Sequence, residues 1–482
     1  MLILRKLFFY LFLLIYIIVC PLVILHALGI TFKPETQSIQ KTGIIYLSTI
    51  PPEAHVYINR HHFPERTPTI IRNLRPGRYT LRLALKDHIA WEKTLPVLAE
   101  KATSVNKILL LPAQLDIKQL SSFEARDLVP IEGQSIFLIK KGDLLEDLFV
   151  YQDAAITPLF GSNSTYLKGK LKDIFKVKQS PFILLRIFLK GTEKFLWIDL
   201  HSQPTVIEDL TGLFQGEPEQ VAWDPQVPHT IFTFQNNTIN RLDIKNQAVY
   251  PALAEKIQNF TVSQDHIYAL TEDRIFQRMS YDGENVEILL EDPELREKIF
   301  GQMERPAIEI LSREVFLFRD RKGKLLSNRL PYEFVKRGVE GFAYERNGKR
   351  LMVWTDRRIG VLDFGEKTTE TIFEEAPALE WLAESHAGIG QGFWVNNGTH
   401  ILYRDRNRIF IAESEEFPEP LSREIFRVRR NSSIVYRDEL GQIFFLDPEN
   451  GYLSSVQLLP PESLFPLPVE EKESEKEKEK EE

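Results

Sequence analysis

Apolar and polar residues alternate with a period of two along most of this chain. In "RYTLRLAL", Tyr79, Leu81, Leu83 and Leu85 fall on one side and Arg78, Thr80, Arg82 and Ala84 on the other. Successive strand side chains point to opposite faces, so this pattern predicts a half-buried strand. Similar runs at 43–48, 54–58, 91–97 and 105–111 give about five strands in some 70 residues, enough for one small sandwich. Between two of them, Leu74-Arg75-Pro76-Gly77 carries the adjacent proline and glycine of an expected type II turn. Beyond Pro112 no helical stripe of about 15 residues occurs, and short apolar strands separated by Gly, Asn, Asp or Pro continue to Leu459. The predicted fold class is all-β.

The long middle also repeats. "LFVYQD" ends at Asp153, "FLWID" at Asp199, "INRLD" at Asp243, "RMSYD" at Asp282, "IGVLD" at Asp363 and "IFFLD" at Asp447, with successive gaps of 46, 44, 39, 81 and 84 residues. The two double gaps place further units near "LLSNRL" and "RIFIAE", which keep the strand and lose the aspartate. Four-stranded units of about 40 to 45 residues that cannot bury their apolar faces alone are expected to close into a β-propeller, here over 113–459 with seven or eight blades. The segments starting at Val221, Phe342 and Phe393 resemble TolB-type and WD-repeat-type units, with Asn347-Gly348 and Asn397-Gly398 where those carry a Pro-Asp-Gly turn. The aspartates recur at one strand-end position. That suits turn capping, needed in every blade, better than a catalytic pair, needed once.

Upstream, Pro52-Glu53-Ala54, Val56-Tyr57-Ile58-Asn59, Thr67-Pro68 and Leu74-Arg75-Pro76-Gly77-Arg78-Tyr79 follow in an order that resembles the PEGA domain, over about 42–112. The motif glycine is absent between Glu53 and Ala54, Arg60 stands where a glycine usually closes the hairpin, and Asp87-His88 replace the usual Gly-Tyr. The resemblance implies an Ig-like or prealbumin-like sandwich, of the kind found in surface and envelope proteins, with a role in interaction.

Residues 7–30 contain no Asp, Glu, Lys or Arg, and 17 of these 24 residues are Leu, Ile, Val or Phe. About 20 such residues cross a bilayer, so a transmembrane anchor is expected here, after a cytoplasmic segment 1–6 and before a linker 31–41. Ala27-Leu28-Gly29 offers an alternative signal-peptidase site, but the apolar run exceeds the roughly 7 to 15 residues of a signal core. Val19 before Cys20 argues against lipidation. Arg5 and Lys6, opposed by Lys33 and Lys41, set the bulk of the chain outside the cytoplasmic membrane. After Pro460, Pro461, Pro466 and Pro468 comes a Glu/Lys-rich run expected to be a disordered tail over 460–482.

Charge sharpens the picture. The 482-residue chain carries a net charge of −8, yet 42–112 holds ten Lys/Arg against five Asp/Glu, leaving 113–469 at −12. An acidic body excludes nucleic acid as a partner, since phosphate contacts require a basic surface. The single cysteine excludes internal disulfides and cysteine zinc cages. Arg66, Arg72, Arg75, Arg78 and Arg82 form a charged strand face, or contact anionic lipid headgroups or a wall polymer.

His55, His61, His62 and His88 lack the carboxylates of a metal shell and read as loop residues, so no metal is expected. "GSNST" at Gly161 lacks the second glycine of a nucleophile elbow, and no Walker loop, His-Glu-x-x-His or GxGxxG occurs. The Asp282 and Asp447 turns are too short to hold calcium, and the sequons at Asn163, Asn236, Asn397 and Asn431 fall in turns. No catalytic residue and no cofactor is expected. The chain reads as a non-enzymatic, membrane-anchored envelope protein that binds another envelope protein or a wall polymer. The alternative is a propeller-type hydrolase or lyase acting on envelope glycan or peptide from its central funnel.

Overall fold

The computed structural model describes residues 9–20, 30–33 and 38–459, apart from 177–179, 203–204, 215, 226, 228, 302, 304, 312–313, 330–331, 346–349, 365–378 and 415–419. Residues 43–109 fold as two facing sheets. One has the order Thr69–Leu74, Gly43–Ile50, Ala102–Leu109, and the other His61–Arg66, His55–Ile58, Gly77–Ala84, Trp91–Val97. Ile45, Leu47, Val56, Leu81, Leu83 and Leu95 pack between them with no exposed surface. Each such side chain removed from water contributes about 1.5–3 kcal/mol. The face predicted from "RYTLRLAL" is the inward one, with Tyr79 and Leu85 against the core and Arg78 and Arg82 exposed. The strands His61–Arg66 and Thr69–Leu74 escaped the reading. Both are edge strands, and the first carries the charges and proline with which edges resist further pairing.

The turn after Leu74 differs from expectation. Gly77 opens a strand rather than sitting left-handed, and the left-handed residue is Asn73, with φ 58°. Asparagine tolerates that region, and Asn73 marks a β-bulge inside Thr69–Leu74, where the register against Gly43–Ile50 shifts. Tyr79 Oη donates to the Arg75 carbonyl at 2.9 Å.

Each site that departs from the resembled family's glycines keeps the glycine-like backbone: Glu53, Arg60 and Asp87 have φ of 68°, 69° and 60°. Asn59 (φ 47°) and Arg60 together form the two-residue reversal between His55–Ile58 and His61–Arg66. A side chain in this region costs about 1–2 kcal/mol, against about 0.5–1 kcal/mol for the chain entropy of glycine. Arg60→Gly is therefore expected to stabilise the sandwich by about 0.5–1 kcal/mol, read as a higher melting temperature in calorimetry. A lower one would refute the account.

Eight more four-stranded antiparallel sheets follow between residues 117 and 457 among the described residues. Seven use four consecutive strands, spanning 127–158, 170–209, 220–254, 257–288, 307–335, 339–384 and 389–427. The eighth takes Val435–Arg437, Gln442–Leu446 and Tyr452–Gln457 from the end of the body and Ile117–Glu124 from its beginning. The two ends of the body thus pair within one blade and latch the ring.

The period-two pattern explains why the blades must be neighbours. In Phe182–Leu189 of the second blade, Ile183, Leu185 and Ile187 pack on the first blade while Leu184 packs on the third. In Gln442–Leu446 of the eighth, Ile443 and Phe445 face the seventh blade and Phe444 and Leu446 the first. The described residues give one such cluster for each adjacent pair, the eighth with the first included. This is a closed β-propeller. Polar groups of the innermost strands tie it further: Gln220 Nε2 donates to the Phe260 carbonyl at 2.8 Å, Asn259 Nδ2 to that of Pro306 at 2.9 Å, and Ser433 N to Asp127 Oδ1 at 2.7 Å.

Four of the six aspartate markers act as turn caps. Asp199, Asp243, Asp282 and Asp447 accept backbone N–H groups of His201, Asn246, Glu284 and Glu449 at 2.8–3.0 Å. "LLSNRL" and "RIFIAE" do lie on third strands, Leu325–Ser327 and Arg408–Glu413. Asp447, however, follows a second strand, Gln442–Leu446, and the eighth blade takes its fourth from upstream. A short helix, Pro293–Phe300, interrupts the strands with 8 residues, below the length over which a helical stripe was sought; it is capped by Asp292 accepting from Glu294 N, and its Ile299 and Phe300 join the core between the fourth and fifth blades.

At the N-terminus, residues 9–20 form a helix whose apolar side chains, Phe9 to Val19, are exposed. Among the described residues no helix is long and apolar enough to cross a membrane. The rest of the expected span, 7–8 and 21–29, lies outside them. Ile30, expected to end the span, opens a hairpin of Ile30–Lys33 with Ser38–Lys41, so the expected linker is a two-stranded sheet. The expected tail 460–482 and the Asn347-Gly348 turn also fall outside the described residues.

Candidate functional site at the sandwich–propeller junction

The third strand of the seventh blade, Arg408–Glu413, ends in glutamate where other blades carry their aspartate. That replacement holds the sandwich. Trp91 and Lys93, two apart on Trp91–Val97 and so on one face, both reach Glu413. Trp91 Nε1 donates to Oε1 at 2.7 Å, the Lys93 ammonium donates to Oε2, and Leu421 N donates to Oε2 at 3.0 Å. The pair is largely shielded, the Lys93 and Glu413 side chains being 8% and 14% exposed. Burying two charges is costly, and each hydrogen bond here offsets part of the lost hydration.

Beside this pair, Asn396 Nδ2 donates to the Lys107 carbonyl of the sandwich at 2.7 Å. Leu109 and Leu111 enter one cluster with Leu402, Ile411, Ile443 and Leu458 of the last two blades. The blade side is braced from the sixth blade. Arg350 forks onto Glu345 with two bonds of 2.8 Å, donates to Ser414 Oγ at 3.0 Å and reaches the Gly398 carbonyl. A cavity of about 210 Å³ remains between the modules, lined by Trp91, Leu109, Leu111, His400, Ile411 and Arg423.

His400 lies directly across the strand pair from Glu413, buried, with Nδ1 2.9 Å from Thr399 Oγ1. Burial pushes its imidazole down to about 4, Glu413 opposing and Lys93 reinforcing the fall, so the folded state keeps it neutral. The ordinary value is near 6.5. Between the two values the unfolded chain binds a proton that the folded chain refuses. Stability is therefore full above about pH 6.5 and declines as pH falls towards about 4, by up to about 3 kcal/mol. Urea titrations across this window are expected to show the loss and to lose that slope in His400→Leu. An unchanged slope in the variant would refute the assignment.

The other candidates scatter. His62 Nε2 lies 3.5 Å from His55 Nδ1, and the His62 and Tyr57 ring centroids are 5.3 Å apart, a pairing that the reading of adjacent histidines missed. His61 faces the other way, opposite Ile58, and His88 bridges to Pro112. Among the described residues no three His, Cys, Asp or Glu converge as a metal site. Asn163, Asn236, Asn397 and Asn431 all lie in turns, and the Asn397 turn adjoins the junction through Asn396. Trp91, Lys93, His400 and Glu413 went unnoticed in the sequence. The faint signal was the glutamate that breaks the aspartate repeat.

The geometry defines a two-module all-β protein, a small sandwich seated on one blade of a propeller. Residues 42–110 match the PEGA domain family, so the chain carries a PEGA domain followed by a β-propeller. No curated protein matches the sequence. Among solved structures, the chain is similar to the β-propeller domain of Myceliophteria thermophila Cps50 (Swd1), at 9% identity and a TM-score of 0.38 over 72% of this chain and 100% of that one. It is also similar to the computationally designed Ika8 protein (11%, 0.42, 71% and 100%) and to Kluyveromyces lactis Hsv2 (12%, 0.39, 64% and 99%).

Proposed function

We propose that the protein is a non-enzymatic scaffold of the cell envelope. One apolar N-terminal segment anchors it, the bulk lies on the extracytoplasmic side, and the joined PEGA domain and propeller bind another envelope protein or a wall polymer. The observation that carries this reading is the junction. Trp91, Lys93 and Glu413 bury a charged pair between the modules, and Asn396 adds a bond to the sandwich backbone. Two modules held in one register present a composite surface, which suits recognition of a large partner. The charge-free run at 7–30 supports the anchor.

The test is retention. The full chain, immobilised in mild detergent, is expected to retain a specific protein or polymer from envelope fractions. Protease added to intact cells is expected to degrade the body. Failure to retain anything, together with turnover of a glycan or peptide, would replace the scaffold by an enzyme. A body cut only after permeabilisation would overturn its placement.

A further inference from the structure

The sandwich has two unlike ends. Its strand Gly43–Ile50 runs from one to the other, about 23 Å at 3.3 Å per residue. At the Ile50 end lie the groups that meet the propeller: Ile50 itself packs into the shared cluster with Leu109 and Leu111. At the Gly43 end the register brings together Leu74, paired with Gly43, and Val97, paired with Gly77. That end carries Arg72, Arg75, Arg78 and Lys101, all exposed, and Leu98, which is 52% exposed. None of these four cations forms an ion pair among the described residues. Glu100, next to Lys101 in the chain, is paired with Lys41.

The same end adjoins the apolar N-terminal segment. The hairpin sets Ile30 opposite Lys41, about 5 Å away across a strand pair, and Lys41 is two residues from the start of Gly43–Ile50. Wherever the apolar run ends, the cationic rim begins close by, on the side of the sandwich away from the propeller.

We infer that this rim, Arg72, Arg75, Arg78 and Lys101 around Leu98, rests on a bilayer surface bearing anionic phosphate headgroups. The inference deepens the membrane-anchored reading and rests on it. Arginine forks onto phosphate oxygens, and each basic side chain near an anionic leaflet adds to the attraction within a Debye length. Leu98 supplies the apolar contact that such a surface accepts at its headgroup boundary. The sandwich then acts as a spacer that holds the propeller about 23 Å above the lipid.

The full chain is reconstituted into vesicles of phosphatidylcholine alone or mixed with phosphatidylglycerol. An alkaline carbonate wash reads the anchor, since an inserted segment stays with either vesicle. Phenylglyoxal labelling, followed by mass spectrometry, reads the rim. Arg72, Arg75 and Arg78 are expected to label about threefold more slowly or less in the anionic vesicles, with protection lost at about 1 M salt. Arg357, on the propeller with its side chain 81% exposed, should label equally in both. Retention of the chain with equal labelling of the rim overturns the inference and leaves the anchor standing. Protection in anionic vesicles despite release by carbonate supports the rim and sinks the anchor. Protection by soluble polyglutamate, with none from anionic vesicles, overturns the inference in favour of an acidic protein partner.

Discussion

Phe444→Ala is expected to destabilise the propeller by about 3–5 kcal/mol, the range for removing a large buried aromatic side chain. Phe444 has no exposed surface and sits where the ring closes, its centroid 5.2 Å from Phe137 and 4.9 Å from Tyr151 of the first blade. The Arg437 guanidinium lies 5.4 Å from the same ring. The neighbours are strands paired within their own sheets, so they have little freedom to collapse into the void, and the cost should fall at the upper end. Phe188, 43% exposed on the second blade, serves as the control, and its alanine variant should change stability by less than about 0.5 kcal/mol. Urea unfolding followed by tryptophan fluorescence measures both. A loss below about 1 kcal/mol for Phe444→Ala would mean that the last and first blades do not pack, and the ring would be open.

Lys93→Met alone should loosen the junction by about 3 kcal/mol, because it leaves the Glu413 carboxylate shielded from water with its charge unbalanced. Glu413→Gln alone should cost a similar amount by stranding the Lys93 ammonium. The double variant Lys93→Met/Glu413→Gln removes both charges, keeps an amide oxygen to accept from Trp91 Nε1, and should recover most of the loss. The readout is limited proteolysis between Pro112 and Asp116, where the chain passes from sandwich to ring: both single variants are cut faster and the double approaches the parent. Additive single effects in the double variant would show that the two side chains do not interact, and the junction would then rest on its apolar cluster alone.

How much of this was legible depends on the range of each interaction. The sandwich core followed from local alternation, since Leu81 and Leu83 must share a face once Gly77–Ala84 is extended. The propeller followed from the repeat. Its marker nevertheless slipped at Asp447, which follows a second strand, and its closure was hidden, because Ile117–Glu124 completes the last blade from more than 300 residues away and no local pattern announces that pairing. The Pro-Gly turn misled for a related reason. Local preference placed the left-handed residue at Gly77, and the bulge set by pairing Leu74 with Gly43 and Ile71 with Ile45 placed it at Asn73.

The junction was not legible. Trp91 reads as an ordinary inward strand residue, and Glu413 as one more strand-end carboxylate. Their meeting, 322 residues apart in sequence, exists only once the ring has closed and brought the seventh blade against the sandwich.

By itself, the sequence determined the all-β class, the repeat length, the turn-capping aspartates, the apolar N-terminal run and the split of charge between a basic sandwich and an acidic body. These depend on period-two alternation and on composition, which act within a few residues or summed over the chain. Tertiary structure alone decided that the described residues form eight blades, that the body's first strand latches the last blade, and that the sandwich sits on the seventh. Those outcomes depend on which distant surfaces exclude water from each other, and such complementarity is fixed only when every strand is in place.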